Sequence, residues 1–351
     1  MTVRKVILSG YYGFNNAGDE AVLAALVQIF RDNLADVEPV ALSAEPAATE
    51  KRLGIRAVNR WDSRAVAQEL AGASLFCSGG GSLLQDVTSV RSVYYYTSLI
   101  KKAQRYNVPT VVLAQGLGPL KTRLGRWLTV NALKKCRLLS WRDEASLKLA
   151  AELGLGALPN YQVCDPVLLW QPQPAEQKPG PKKIAVALRP WPGLNIAAAA
   201  DLVRLLRAAG QKVMLLPFYY GDGAGEDEQL AAKINLALGD AAAEVYHADT
   251  PEAVFSAIRE SSLVIGMRLH ALIMAAAANV PAVAVNYDPK VAAFAARAGI
   301  PLAEGGVGFK AADLAEQALD CLTAPPVYRT AQEAELWQPL LAELDKILAA
   351  G

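Results

Sequence analysis

Short apolar runs alternate with longer stretches of helical periodicity along most of the chain. KVILSG, at residues 5–10, reads as a strand. The following DEAVLAALVQIFRDNL places Val22, Leu26, Ile29 and Phe30 on one helical face. SLFCSGG, TVVLAQG and LLSWRD are further short apolar runs that end in Gly, Gln or charge. They lack polar alternation, as do parallel strands buried on both faces. Strand–helix repetition of this kind implies an α/β fold with a doubly wound layer.

The rhythm breaks at QPQPAEQKPGPKK, residues 171–183, where Pro172, Pro174, Pro179 and Pro181 interrupt a stretch with little to bury. It reads as a linker. A second series follows: KIAVALRP, ADLVRLLRAAGQ, KVMLLPFY, EQLAAKINLALG, SLVIGMRLH and AVAVNYD. The expectation is two Rossmann-like doubly wound domains, residues 1–170 and 184–325, facing each other across a cleft. Residues 326–351 form a C-terminal amphipathic segment, expected to kink at Pro339 and to pack back on the first domain.

Composition narrows the function. The chain has 351 residues, 53% of them hydrophobic, and a net charge of +1. Such a balance argues against a general nucleic-acid binder. Cys77, Cys136, Cys164 and Cys321 are widely spaced, with neither a zinc-ligand nor a disulfide pattern. They read as reduced packing residues, which suits the cytosol. MTVRKVILSG runs straight into a strand without a leader pattern, and no run is long and apolar enough to span a bilayer. A cytoplasmic protein is expected.

Candidate chemistry is sought beyond the carboxyl ends of strands, where open parallel sheets bind ligands. GYYGFNNAGDE follows the first strand. Gly10, Gly13 and Gly18 permit tight turns, Asn15 and Asn16 offer amides, and Asp19 suits a helix N-cap. Asp19 and Glu20 would repel a phosphate, so this loop is expected to meet sugar hydroxyls or to supply a base. CSGGGSLLQD exposes amides at Gly79, Gly80 and Gly81, and Ser82 with Gln85 has capping-box spacing, which predicts a helix start. No Walker A pattern occurs. Arg142 lies just past a strand in SWRDEAS.

The most distinctive stretch is GMRLHALIMAAAANVPAVAVNYDPKV, residues 266–291. Arg268 and His270 fall where a strand passes into a helix, and Lys290 lies just past the next strand. Adjacent parallel strands would bring the three to one spot. Arginines can hold phosphate or carboxylate in a bidentate fork, and a lysine adds a point charge. His247, in VYHADTPE, has no such company and reads as a loop residue.

With GYYGFNNAGDEAVL, SGGGSLLQD, AQGLGP, WRDEAS, CDPVLLW, GMRLHALIMA and YDPKV in this order, the chain resembles the polysaccharide pyruvyl transferase family across residues 5–320. The likeness is closest to its CsaB-type ketal-pyruvyltransferases of bacterial secondary cell wall polymer synthesis. The resemblance implies a GT-B-like fold, phosphoenolpyruvate as donor with no further cofactor, and a lipid-diphosphate-linked saccharide containing N-acetylmannosamine as acceptor. The product would be a 4,6-linked pyruvate ketal. It places Arg268, His270, Arg142 and Lys290 at the donor, with Gly80 and Gly81 as candidate amide donors to its phosphate. His270, Arg268 and Asp19 are the candidate catalytic residues. Asn15, Asn16, Glu20 and Asp86 are the candidate acceptor residues, with Asp19, Glu20 or Asp86 as base. No metal is required, because cationic side chains can cover the donor's charge.

KTRLGRWLTVNALKKCR gathers Lys121, Arg123, Arg126, Trp127, Lys134, Lys135 and Arg137. It could rest on an anionic membrane surface at the inner face of the cell membrane. Tyr94, Tyr95 and Tyr96 could line a sugar site, an oligomer interface or the core. Two other functions fit the same fold. A nucleotide-sugar glycosyltransferase would need a ribose-binding carboxylate, for which FYYGDGAGEDE, residues 218–228, is the candidate. A non-catalytic anion-binding protein would hold phosphoenolpyruvate without releasing phosphate.

Overall fold

The computed structural model describes residues 3–87, 89–173, 181–220, 225–305, 308–330 and 333–350. The chain divides into two units. The first comprises Met1–Phe14, Asp19–Trp170 and Gln332–Gly351, and the second Asn15–Gly18 and Gln171–Ala331.

The first unit runs β1 (Arg4–Tyr12), α1 (Ala17–Asn33), β2 (Val37–Ser43), α2 (Pro46–Leu53), β3 (Arg56–Asn59), α3 (Ser63–Leu70), β4 (Leu75–Gly79), α4 (Val90–Arg105), β5 (Thr110–Gln115), α5 (Arg123–Leu133), β6 (Leu138–Trp141), α6 (Glu144–Glu152) and β7 (Asn160–Gln162). Its strands are all parallel, in the order β3-β2-β1-β4-β5-β6-β7. Every residue of β4 and β5 is buried, as unalternated apolar runs require when helices cover both faces.

The second unit continues with β8 (Ile184–Ala187), α7 (Ile196–Ala208), β9 (Val213–Leu215), α8 (Glu226–Leu238), β10 (Glu244–Val245), α9 (Pro251–Arg259), β11 (Leu263–Gly266), α10 (Leu269–Ala277), β12 (Ala282–Asn286), α11 (Pro289–Ala298), β13 (Leu302–Glu304) and α12 (Ala311–Thr323). Its parallel sheet has the order β10-β9-β8-β11-β12-β13. Each sheet therefore reverses direction beside its first strand, between β1 and β4 and between β8 and β11. Those are the switch points where a doubly wound sheet opens a crevice for ligands. The four cysteines are buried and none is in a disulfide. No helix among the described residues is long and apolar enough to cross a membrane.

Several local expectations need correction. The helix expected at Ser82 does not form. Leu84 instead bridges Leu117, Gly118 N–H donates to Leu84 at 2.8 Å, and α4 begins only after Ser89, whose hydroxyl caps it. Tertiary pairing here outweighs a local capping signal. Asp19 is not the N-cap of α1 but lies in its first turn. Asn16 performs the capping, its Oδ1 accepting the Gly18 N–H at 3.0 Å. Pro339 causes no mid-helix kink. It sits in the first turn of α13 (Trp337–Ala349), where its missing N–H has no intrahelical partner to lose.

The unit boundary falls between Trp170 and Gln171, at the start of the linker expected over residues 171–183. Of that linker, residues 174–180, including Pro174 and Pro179, lie outside the described residues. The C-terminal segment changes unit later than residue 326. Arg329 N–H still donates to Ala298 at 3.3 Å and the Tyr328 hydroxyl to Val280, both in the second unit. Gln332–Gly351 belong to the first unit, where Asp345 pairs with Arg4 at 3.3 Å.

Candidate functional site

At the switch point of the second unit, four loops end in chemistry. Arg189 follows β8, Tyr219 follows β9, Arg268 and His270 follow β11, and Tyr287 and Lys290 follow β12. Arg268 occupies the N-cap position of α10 in extended backbone but makes no side-chain cap. Its guanidinium turns instead to Asp227. Nε donates to Oδ2 at 3.1 Å and Nη2 to Oδ1, while the Tyr219 ring lies 5.1 Å away. Asp227 is buried in the first turn of α8, where the helix dipole favours a carboxylate, and it also accepts the Phe218 N–H at 3.1 Å. This pair fixes the plane of Arg268. The side-on edge is committed to Asp227, which leaves the end-on pair of N–H groups on Nη1 and Nη2 as the remaining bidentate edge.

Arg189 escaped the reading of the sequence. Its Nη1 donates to the Tyr287 hydroxyl at 3.2 Å, tying the loop after β8 to the loop after β12. Its guanidinium lies 5.3 Å from the Tyr287 ring and 5.9 Å from the Trp191 ring, and these rings meet edge-on at 4.9 Å. Among the described residues its Nε is buried without a hydrogen-bond partner. Leaving such a donor unsatisfied costs about 1–3 kcal/mol, more when charged, so an incoming anion would be rewarded here. The available signal was placement alone. In VALRP an arginine stands just past a strand, as Arg268 does.

His270 is the second residue of α10 and half-buried. Its neighbour is Gly18. The Asn15–Gly18 segment belongs to the second unit through an Asn16–Tyr219 bridge, the Tyr220 N–H donated to Asn15 at 3.0 Å and the Ala17 N–H donated to Phe218 at 2.8 Å. A Cβ on Gly18 would lie 2.2 Å from His270 Nδ1 and 2.5 Å from Cγ. The glycine is thus required by the imidazole. Gly18→Ala is expected to leave the chain folded and to displace the ring, costing about 10²-fold in turnover with any substrate pair the protein accepts. Steady-state kinetics alongside a melting curve checks this. Lys290, second in α11, is half-buried. Asp288 accepts its N–H at 3.0 Å and lies 3.5 Å from its ammonium.

The first unit's switch point has a different character. Asp19 is half-buried, with Oδ1 2.9 Å from where a Gly81 side chain would begin. Gly80 and Gly81 both have φ of +68°, and a Cβ on Gly80 would strike Val22 at 1.9 Å. The Gly80 N–H is donated to Leu113 at 2.8 Å. That amide is therefore spent, and a carboxylate stands beside its neighbour, which makes the loop a poor anion cradle.

Two candidate acceptor carboxylates are occupied internally. Glu20 accepts the Gly13 and Phe14 N–H groups at 2.6 and 3.2 Å and pairs with Arg52 at 2.8 Å. Burial pushes its carboxyl above the ordinary value despite that guanidinium. Asp86 accepts the Lys121 and Thr122 N–H groups at 2.6 and 2.8 Å and the Thr122 hydroxyl at 2.5 Å. Burial acts to raise its pKa, but these bonds outweigh it and hold it below the ordinary value. Both hold loops rather than offering an open base. Asn15 is exposed, with a left-handed φ of 57°.

Arg142 is buried in the first unit, with Ser82 Oγ at 2.8 Å and carboxylates of Asp165 and Asp143 at 3.3 and 3.6 Å. Ser82, read as a helix cap, serves this arginine. His247, by contrast, is exposed, 3.3 Å from Glu228.

Solved structures similar to this one share the two-domain fold. UDP-GlcNAc 2-epimerase from Methanocaldococcus jannaschii matches with a TM-score of 0.64 and 10% identity, over 100% of each chain. The S. aureus MnaA–UDP co-structure matches at 0.62 and 11%, over 97% of this chain and 91% of that one. The Anabaena HepE protein in complex with UDP-glucose matches at 0.59 and 13%, over 99% and 98%. At such identities the likeness is one of fold, a GT-B-like pair of Rossmann-like domains. No curated protein sequence matches the chain. The family model for polysaccharide pyruvyl transferase matches residues 16–289, which include the loops after β4, β8, β11 and β12. The chain is an enzyme of the polysaccharide pyruvyl transferase family.

Proposed function

We propose that the enzyme transfers pyruvate from phosphoenolpyruvate to the 4- and 6-hydroxyls of a lipid-linked saccharide containing N-acetylmannosamine, forming a ketal and releasing phosphate. The observation that carries the donor assignment is Arg189, a half-buried cation at the second switch point whose buried Nε has no hydrogen-bond partner among the described residues. Arg268 and Lys290 end neighbouring strands there, and each is partly neutralised by an aspartate. A small trianion suits such a set better than a large neutral ligand. Arg142 is assigned to the same donor by family likeness.

The chemistry follows from the charges. His270, as the imidazolium, delivers a proton to C3 of the enol, and a sugar hydroxyl adds to C2. Its proton passes to a carboxylate, the role we give to Asp19. The C2–O bond to phosphate then breaks, the departing charge covered by Arg189, Arg268 and Lys290. The second hydroxyl closes the ketal on C2 and gives up its proton.

A nucleotide-sugar reading needs a ribose-binding carboxylate in residues 218–228. Asp227 is locked to Arg268, Glu228 faces His247, and residues 221–224 lie outside the described residues. The test is to mix protein, phosphoenolpyruvate and a synthetic ManNAc–GlcNAc acceptor. One pyruvate ketal per phosphate released is expected. Phosphate release without product, or no reaction with phosphoenolpyruvate while a nucleotide sugar is consumed, would overturn the proposal.

A lipid-linked acceptor also suits the surface of α5. Leu124 and Trp127 are 54% and 58% exposed, and the Lys101 ammonium lies 5.2 Å from the Trp127 ring. Lys121, Arg123, Arg126, Lys134, Lys135 and Arg137 are exposed around them. An indole among cations is suited to the interface of an anionic bilayer. Flotation with phosphatidylglycerol vesicles at low salt is expected to carry the enzyme, and Trp127→Ala to weaken that binding several-fold. Binding indifferent to lipid charge and to Trp127 would count against it.

A further inference from the structure

Apart from the carboxylates and cations described above, the first unit carries an aromatic cluster built around a buried cation. Arg60, just past β3, donates from Nη1 to the Gly10 carbonyl at 2.7 Å, from Nη2 to the Tyr96 hydroxyl at 3.1 Å and from Nε to the Tyr95 hydroxyl at 3.1 Å. Its guanidinium lies 4.7 Å from the Tyr95 ring, 5.1 Å from Phe14, 5.5 Å from Tyr96 and 5.9 Å from Trp61. Phe14 stacks on Tyr11 at 4.1 Å and meets Trp61 edge-on at 5.8 Å. Trp61 is nevertheless 60% exposed, and the Trp61 N–H is fixed to Asn59 Oδ1 at 2.9 Å.

Three features define what this surface can hold. It lies at the carboxyl ends of β1 and β3, the edge of the sheet where ligands bind. Its aromatic faces are pre-ordered, so a ligand need not organise them. Its one buried cation has a hydrogen-bond acceptor at Nε, Nη1 and Nη2 and is sandwiched by rings, so it orients the platform and is poorly disposed to recognise an anion. The ligand that matches is uncharged, flat on one side and rich in C–H groups.

We infer that Trp61, held by the Arg60 cluster, is a stacking platform for a neutral pyranose ring of the acceptor saccharide. This rests on the proposed saccharide acceptor and deepens it. Trp61 contacts the sugar, and Arg60 is a positioning residue. The hydroxyls that react belong to a sugar oriented by this contact, so the platform acts on acceptor affinity rather than on the chemical step.

The test separates this inference from the pyruvyl-transfer reading because its first arm needs no donor. Saturation transfer from aromatic protein protons to ManNAc–GlcNAc, chitobiose and cellobiose is measured without phosphoenolpyruvate. At least one disaccharide is expected to receive transfer from the wild type and from Trp61→Phe, with Trp61→Ala losing most of it. In the second arm, Trp61→Ala is expected to raise the acceptor KM about tenfold, with kcat and the donor KM changed less than about twofold. Arg60→Met should shift the acceptor KM in the same direction. The inference is overturned if no disaccharide receives transfer, if Trp61→Ala retains it, or if the donor and acceptor KM rise together. A positive first arm with no pyruvyl transfer would sink the catalytic reading and leave the platform standing.

Discussion

His270→Ala is expected to lower turnover by ~10²–10⁴-fold at saturating phosphoenolpyruvate, the range a positioned general acid contributes. The donor KM should change far less, because the cations that hold the anion remain. His270 stands in the first turn of a helix at a switch point, with its ring packed against a residue that has no side chain. Turnover in deuterated water should place one solvent deuteron in the methyl group of the ketal. Near-normal turnover by His270→Ala would remove the acid role. A rise in KM with unchanged kcat would make the residue a binding group instead.

Asp227→Ala is expected to be the most damaging single change for stability. It removes the buried partner of Arg268 and the acceptor of the Phe218 N–H together. Breaking a buried pair from one side costs about 3–5 kcal/mol, and the lower end applies because the Arg268 side chain retains some contact with solvent. A lower melting temperature should follow. Saturating phosphoenolpyruvate should raise it by more than it raises the wild type, because an anion would stand in for the missing carboxylate. An unchanged melting curve would show that the pair contributes little. A ligand-induced shift no larger than that of the wild type would place Arg268 away from the donor.

The alternation of strands and helices was legible because parallel strands buried on both faces leave unbroken apolar runs, as in β4 and β5. Arg268 and His270 were legible for a related reason. Polar groups in an Ala-rich stretch stand out where a strand becomes a helix. Arg189 was not, because a single arginine after a strand carries no motif, and its value lies in contacts with Tyr287 and Trp191 that are remote in sequence. Asp227 was hidden similarly. In an acidic helix start, only burial distinguishes the carboxylate that meets Arg268 from Glu226 and Glu228. At Ser82 and Gln85 a local capping pattern lost to pairing with the segment after β5. The two carboxylates read as acceptor groups gave no sign of it in sequence, yet Glu20 and Asp86 both bind backbone amides.

In the proposed reaction the switch point of the second unit holds phosphoenolpyruvate through Arg189, Arg268 and Lys290. Calorimetric titration of phosphoenolpyruvate into the wild type and Arg189→Ala, without acceptor, addresses it most directly. Saturable one-to-one binding that weakens with added salt is expected of the wild type, and at least about tenfold weaker binding of the variant. Equal affinity in the two proteins, or no saturable binding by the wild type, would contradict it.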